Sequence, residues 1–143
     1  MSESLALLDA SLERAAEAAG DLTAPVLAVF YAHHPDARAA FARHGGERQP
    51  RLEAEMVETA LYCAMGWVDR RREIEIILAN ATPHHQETLG LPVAWFSGLT
   101  DALVATVLAT IPADASSERA LWVDIGRGLN AAILAARSTR AAA

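Results

Sequence analysis

The chain has 143 residues, 52% of them hydrophobic, with mean hydropathy of only +0.16. That is length enough for one domain over residues 1–143 with a real core, and no apolar run approaches the ~20 residues of a membrane span. Twelve basic residues, all arginine, against 18 acidic ones leave a net charge of −6, and the densest basic run, Arg70–Arg72, meets Glu73 and Glu75 with no aromatic interleaving. Nucleic-acid and membrane partners are therefore not expected.

The start, MSESLALLDASLERAAEAAG, carries acids and no basic lead, so it reads as a first amphipathic helix and not as a signal peptide. Leu5, Leu8, Leu12 and Ala15 share one face, and Gly20 is a natural stop. A second helix starts near Asp21–Thr23 with Pro25 in its first turn, where a missing N–H costs nothing, and runs to His33. Pro35 opens a short third helix that ends in Arg43-His44-Gly45-Gly46.

Pro50 opens the next long helix, with Leu52, Met56, Ala60, Leu61, Ala64 and Val68 as its apolar stripe. Cys63 lies in it among apolar neighbours and reads as a small buried hydrophobe; a lone cysteine excludes an internal disulfide and suits a reducing cytoplasm. Glu53, Glu55 and Glu58 read as a solvated edge. After a turn at Asp69, Ile74, Ile77, Leu78 and Ala81 line one side of REIEIILANATPHH. Pro92 begins the most apolar helix, with Val93, Phe96, Leu99, Leu103, Val107 and Ile111, and Asp114–Ser117 offer capping chemistry before the last one, with Leu121, Trp122, Ile125, Leu129 and Ile133. The final RSTRAAA reads as a frayed tail. About seven helices of unequal length predict an all-α, folded-over domain and not a symmetric bundle.

Phosphate-binding, nucleophile-elbow and zincin motifs are absent from the sequence, which leaves the histidines. His33-His34 sit at a helix end, where imidazoles satisfy free carbonyls. His84 and His85 project about 100° apart, so the two cannot clamp one metal together. His85 continues the Leu78–Ala81 stripe, whereas His84 falls toward solvent. Locally His85 is either a satisfied core histidine or a ligand.

Two longer stretches bear on that choice. HHPDARAAF, His33–Phe41, resembles the junction of the second and third globin helices, where a proline opens the short helix and a phenylalanine six residues on wedges against haem. HQETLGLPVAWFSGLTDALVATVLATI, His85–Ile111, resembles the globin proximal histidine, its corner and the long helix beyond, and LWVDIGRGLNAAILA is similar to the last globin helix. The resemblance, to single-domain bacterial-type haem globins, spans nearly the whole chain.

It implies a globin-like fold, a haem b held through His85, Phe41 stacked on the macrocycle, and reversible binding or sensing of a diatomic gas (O2, CO or NO). Leu91, Phe96, Leu99 and Leu129 match proximal wall positions, Ala81 lies one turn before the ligand, and Leu27 matches a distal wall position. Arg43 and His84 match positions that could meet the haem propionates. On the distal side one count places Met56 and Ala60, the other Glu53 and Val57, where a histidine or glutamine is usual. Met56 is preferred because it keeps Leu61, Ala64 and Val68 buried, and its sulfur would be a second iron ligand; His44 is an outside candidate. Tyrosine, common on the second helix of bacterial globins, is replaced by Leu27, with Tyr31 one turn on.

The chain ends after its last helix, so a redox or signalling role calls for a separate reductase or signalling partner. A cytoplasmic monomer or homodimer is expected. The alternatives are a globin-fold interaction or sensor module without haem, and a small NO dioxygenase or peroxidase-like haem protein; the lack of distal acid–base groups speaks against the latter.

Overall fold

The computed structural model describes residues 2–138. Among the described residues seven α-helices carry the fold: α1 (Glu3–Ala19), α2 (Thr23–His33), α3 (Pro35–Gly45), α4 (Gln49–Gly66), α5 (Arg71–Leu89), α6 (Val93–Leu108) and α7 (Ser116–Ala136), with a 3-10 turn over Gly46–Arg48. Among the described residues there is no strand, and no helix is long and apolar enough to cross a membrane.

The helix boundaries follow local chemistry. Ser2 caps α1, its hydroxyl accepting from the Leu5 N–H at 3.2 Å, and Asp21 accepts from the Thr23 N–H at 2.8 Å just ahead of α2. Pro35 and Pro50 occupy first-turn positions of α3 and α4.

Three sequence expectations are corrected. The third helix is not short: it has 11 residues and is followed directly by the 3-10 turn and α4. The Asp114–Ser117 capping chemistry is unused, because the cap position of α7 falls on Ala115 with no side-chain bond. Arg119 holds that corner instead, one guanidinium nitrogen donating to the carbonyls of Leu108 and Ile111 at 3.0 Å each. The tail expected from Arg137 onward is anchored at its start, where the Ser138 N–H donates to Gln86 Oε1 at 2.7 Å; its remainder lies outside the described residues.

α6 is the central helix, packed along α7 on one side and crossed by α2 on the other. This explains why it is apolar nearly all round. The α6–α7 crossing is close at Gly126, which faces the Val104 side chain. The α4–α5 corner docks on α7 through Trp67: a methyl group at Gly128 would come within 2.6 Å of the indole ring, so only glycine admits it. Arg71 lies over that indole at 4.8 Å from the ring centre. Along α7, Trp122, Ile125, Leu129 and Ile133 all point into the core.

α1 is fixed to α7 by a buried polar clamp. Glu118 accepts from Arg14 Nη1 at 2.6 Å, and the buried Ser11 hydroxyl lies 2.8 Å from the same carboxylate and 2.7 Å from the Leu7 carbonyl, sharing its proton between them. The Arg14 hydrogen bond, seconded by Ser11, holds the Glu118 carboxyl below its ordinary pKa. A carboxyl depressed in the folded state stabilises the fold above its unfolded pKa and loses that contribution as pH falls through the folded value. Glu118→Gln is expected to cost about 1–2 kcal/mol at neutral pH. In urea unfolding the gap to the parent protein stays constant at neutral pH and closes in acid, below the ordinary carboxylate pKa of about 4.

Candidate functional site

α5 carries the histidine pair and continues for four residues past His85, so the pair sits one turn earlier than a helix-end position. Pro83 lies inside this helix and leaves the Ala79 carbonyl without its intrahelical donor. The helix ends at Gly90 in the left-handed region, φ +68°, where the Gly90 N–H donates to the Gln86 carbonyl (3.1 Å) and the Leu91 N–H to that of His85 (3.2 Å). The backbone of the corner thus fixes the turn that bears His85. Gly90→Ala meets no neighbouring atom within 4 Å, so it is expected to lower stability by about 1 kcal/mol through backbone strain alone. A thermal unfolding curve will read that loss.

The His85 ring is half-buried and lies 5.5 Å from Phe96 of α6 and 5.6 Å from His84. Among the described residues its ring nitrogens have no hydrogen-bond partner. His84 is exposed, its Nδ1 a long 3.4 Å from the Thr88 hydroxyl. The preceding residue of α6, Trp95, turns the other way and meets Phe41 edge-on at 5.7 Å and 62°. Phe41 in turn lies 6.4 Å from Tyr31, whose hydroxyl donates to Glu53 Oε2 at 2.6 Å. Two separate sets of rings therefore flank the first turn of α6: His85 with Phe96 on one side, and Trp95 with Phe41 and Tyr31 on the other. The first turn of α6 brings the two best-marked sequence positions, His85 and Phe41, to either side of itself.

Burial of Tyr31, reinforced by Glu53, raises its hydroxyl pKa well above the ordinary value. It stays protonated and commits its proton to Glu53. Burial likewise pushes the Cys63 thiol up, which leaves it without thiolate character at neutral pH. It is packed in the core, as its apolar setting implied.

On α4 the buried face carries Val57 (2% exposed) and Ala64, while Met56, Ala60 and Leu61 are half-buried against the core's edge. Val57 is the more deeply buried of the two neighbours; of the residues that a Met56-led stripe keeps inside, Ala64 is fully buried and Leu61 and Val68 are half-buried against the core, while Glu53 reaches α2 through Tyr31. Leu27 and Leu129 are buried, and Ala81, Leu91, Phe96 and Leu99 are half-buried. α5 packs chiefly on α7 and meets α4 and α6 sparsely. Met56 and Ala60 on α4, with Leu78, Ala81 and His85 on α5, are left only partly covered. Arg43 and His44 are exposed at the end of α3 and have no bonded partner among the described residues.

Sequence reasoning passed over Trp95, the Tyr31–Glu53 bond and the buried Thr82. Trp95 left a signal, an aromatic one step off the Val93–Phe96–Leu99 stripe in a helix with two buried faces. The Tyr31–Glu53 pair spans 22 positions on two helices and left none.

No three histidine, cysteine or acidic side chains cluster to hold a bare metal ion among the described residues. A haem asks for less, since the porphyrin supplies the equatorial donors and the protein need give one neutral imidazole amid apolar walls. An unpartnered His85 beside Phe96 fits that donor chemistry. No family model, curated protein or solved structure matches the chain.

Proposed function

We propose that this chain is a globin-like haem protein that reversibly binds or senses a diatomic gas, with His85 as the proximal ligand. The observation that carries the reading is the unpartnered, half-buried His85 imidazole beside Phe96, on a helix sparsely packed against α4. An imidazole without a bonded partner keeps a lone pair available for iron, and the corner formed by Gly90 and Leu91 limits its motion; the orienting acceptor that usually holds the second ring nitrogen of an iron-bound histidine has no counterpart among the described residues.

When bound, haem supplies the iron on which a diatomic ligand sits. The residues of this chain supply the surroundings. Phe41 and Phe96 offer flat apolar contact, Leu27 and Val57 shape a dry far side, and Arg43, exposed and unpartnered, is free to meet a propionate. Tyr31 and Glu53 satisfy each other, so neither is free to donate to a bound gas or to work as an acid–base pair. That favours binding or sensing over turnover of NO or peroxide. Met56, at the edge of the core, is the alternative second ligand.

A second reading has its own observation. Phe41 already packs on Trp95 and Tyr31, an arrangement that suits a globin-fold module which fills its interior with its own rings and binds no haem. Titration of the protein with haemin separates the two. Stoichiometric uptake with a sharp Soret band supports the haem reading, and its absence supports the second. A ferrous spectrum without six-coordinate bands removes Met56 as a ligand.

A further inference from the structure

α5 is held unequally along its length. Its front part is set into the core: Ile74 is fully buried and lies so close to Gly66 of α4 that a methyl group on the glycine would come within 2.7 Å of it. Thr82 is buried further along. Past Thr82 no side chain of the helix is buried, and Leu89, a large apolar residue, is 55% exposed. The division coincides with a break in the backbone ladder. Pro83 has no N–H to give the Ala79 carbonyl and crowds it. Gly90, in the left-handed region, closes the other end. Between these two breaks the His85 ring lies beside Phe96, and Gln86 Oε1 accepts from the Ser138 N–H at 2.7 Å, just past the end of α7.

We propose that residues 84–89 open as one unit while the front of α5 stays closed, and that the Gln86–Ser138 bond is the latch that holds the unit shut. A segment opens locally when few buried contacts must part to release it. Here the opening exposes no buried side chain, whereas lifting the front part would expose Ile74 and Thr82. The chain leaving α7 thereby controls how often the His85 imidazole parts from Phe96. This device follows from packing and hydrogen bonding alone and does not rest on the haem reading.

Amide hydrogen exchange of the full chain, without haemin and read by NMR, tests it. Residues 84–89 should share one protection level and exchange at least about tenfold faster than residues 75–82, where simple fraying gives a gradient toward Gly90. Gln86→Ala removes the acceptor and should speed exchange of residues 84–89 about fivefold further, the worth of one hydrogen bond, with residues 75–82 unchanged. Alanine is the better helix former, so helix propensity would push this variant the other way. Gln86→Met, which keeps the length of the side chain without the acceptor, should match it. A smooth gradient or uniform protection along α5 overturns the proposal. So does an unchanged rate in both Gln86 variants, or an equal acceleration over residues 75–82.

Discussion

Replacing His85 with alanine is expected to abolish stoichiometric haemin uptake while leaving the fold intact. The ring is half-buried at the edge of the core and makes no hydrogen bond among the described residues. Truncating it therefore strands no polar partner and should cost no more than about 1 kcal/mol of packing. Its loss of function, in contrast, should be nearly complete, because no other imidazole on α5 can stand in: His84 projects about 100° away along the helix and is exposed. The Soret band should broaden toward that of free haemin, and added imidazole should restore it by entering the space the side chain vacates. An unchanged Soret band in His85→Ala would remove the assignment of this residue as ligand, whatever the haem then binds to.

Trp122→Ala is expected to have the largest effect on stability. Trp122 is fully buried on the inner face of α7, one turn beyond Glu118 and in line with Ile125 and Leu129. Removing so large a side chain from a close-packed interior costs about 3–5 kcal/mol, against a total of about 5–15 kcal/mol for a domain of this kind. The denaturant midpoint should fall steeply with an unchanged slope. Its indole Nε1 is buried with no hydrogen-bond partner, a condition that itself costs about 1–3 kcal/mol. Trp122→Phe should lose much less than Trp122→Ala, since both discard the stranded N–H but phenylalanine keeps most of the ring volume. Equal losses in the two variants would show that filling this part of the core is not what Trp122 contributes.

The helix ends were legible because their chemistry is local. Gly20, Pro35, Pro50 and Pro92 each act within a turn of themselves, and the structure starts or stops helices beside each of them; the end of α5 at Gly90 was not read, and the helix runs one turn further past His85 than its sequence suggested. The position of His85 on a helix with a corner and a proline-led helix behind it was legible for the same reason. The inner face of α4 was not. Met56 and Val57 are adjacent and both apolar, and a single-residue step turns the stripe by about 100°, so only the packing of α4 on the rest of the core orders them by burial. The buried Glu118 clamp joins positions 107 residues apart, and nothing near Glu118 in the sequence distinguishes it from a surface acid. Trp95 was obscured because α6 is covered on two sides, which removes the one-faced periodicity on which such readings depend.

The bond from the Ser138 N–H to Gln86 has a practical bearing on all these experiments. Gln86 directly follows His85, so the departing chain beyond α7 is moored to the very turn that bears the proposed ligand. An affinity tag appended after this point would pull on that mooring and could shift the imidazole without any substitution near it. Spectra and titrations are best recorded on protein tagged at the other end. A deliberate pair of preparations, tagged at one terminus or the other, would measure how firmly the far end of the polypeptide sets the attitude of α5.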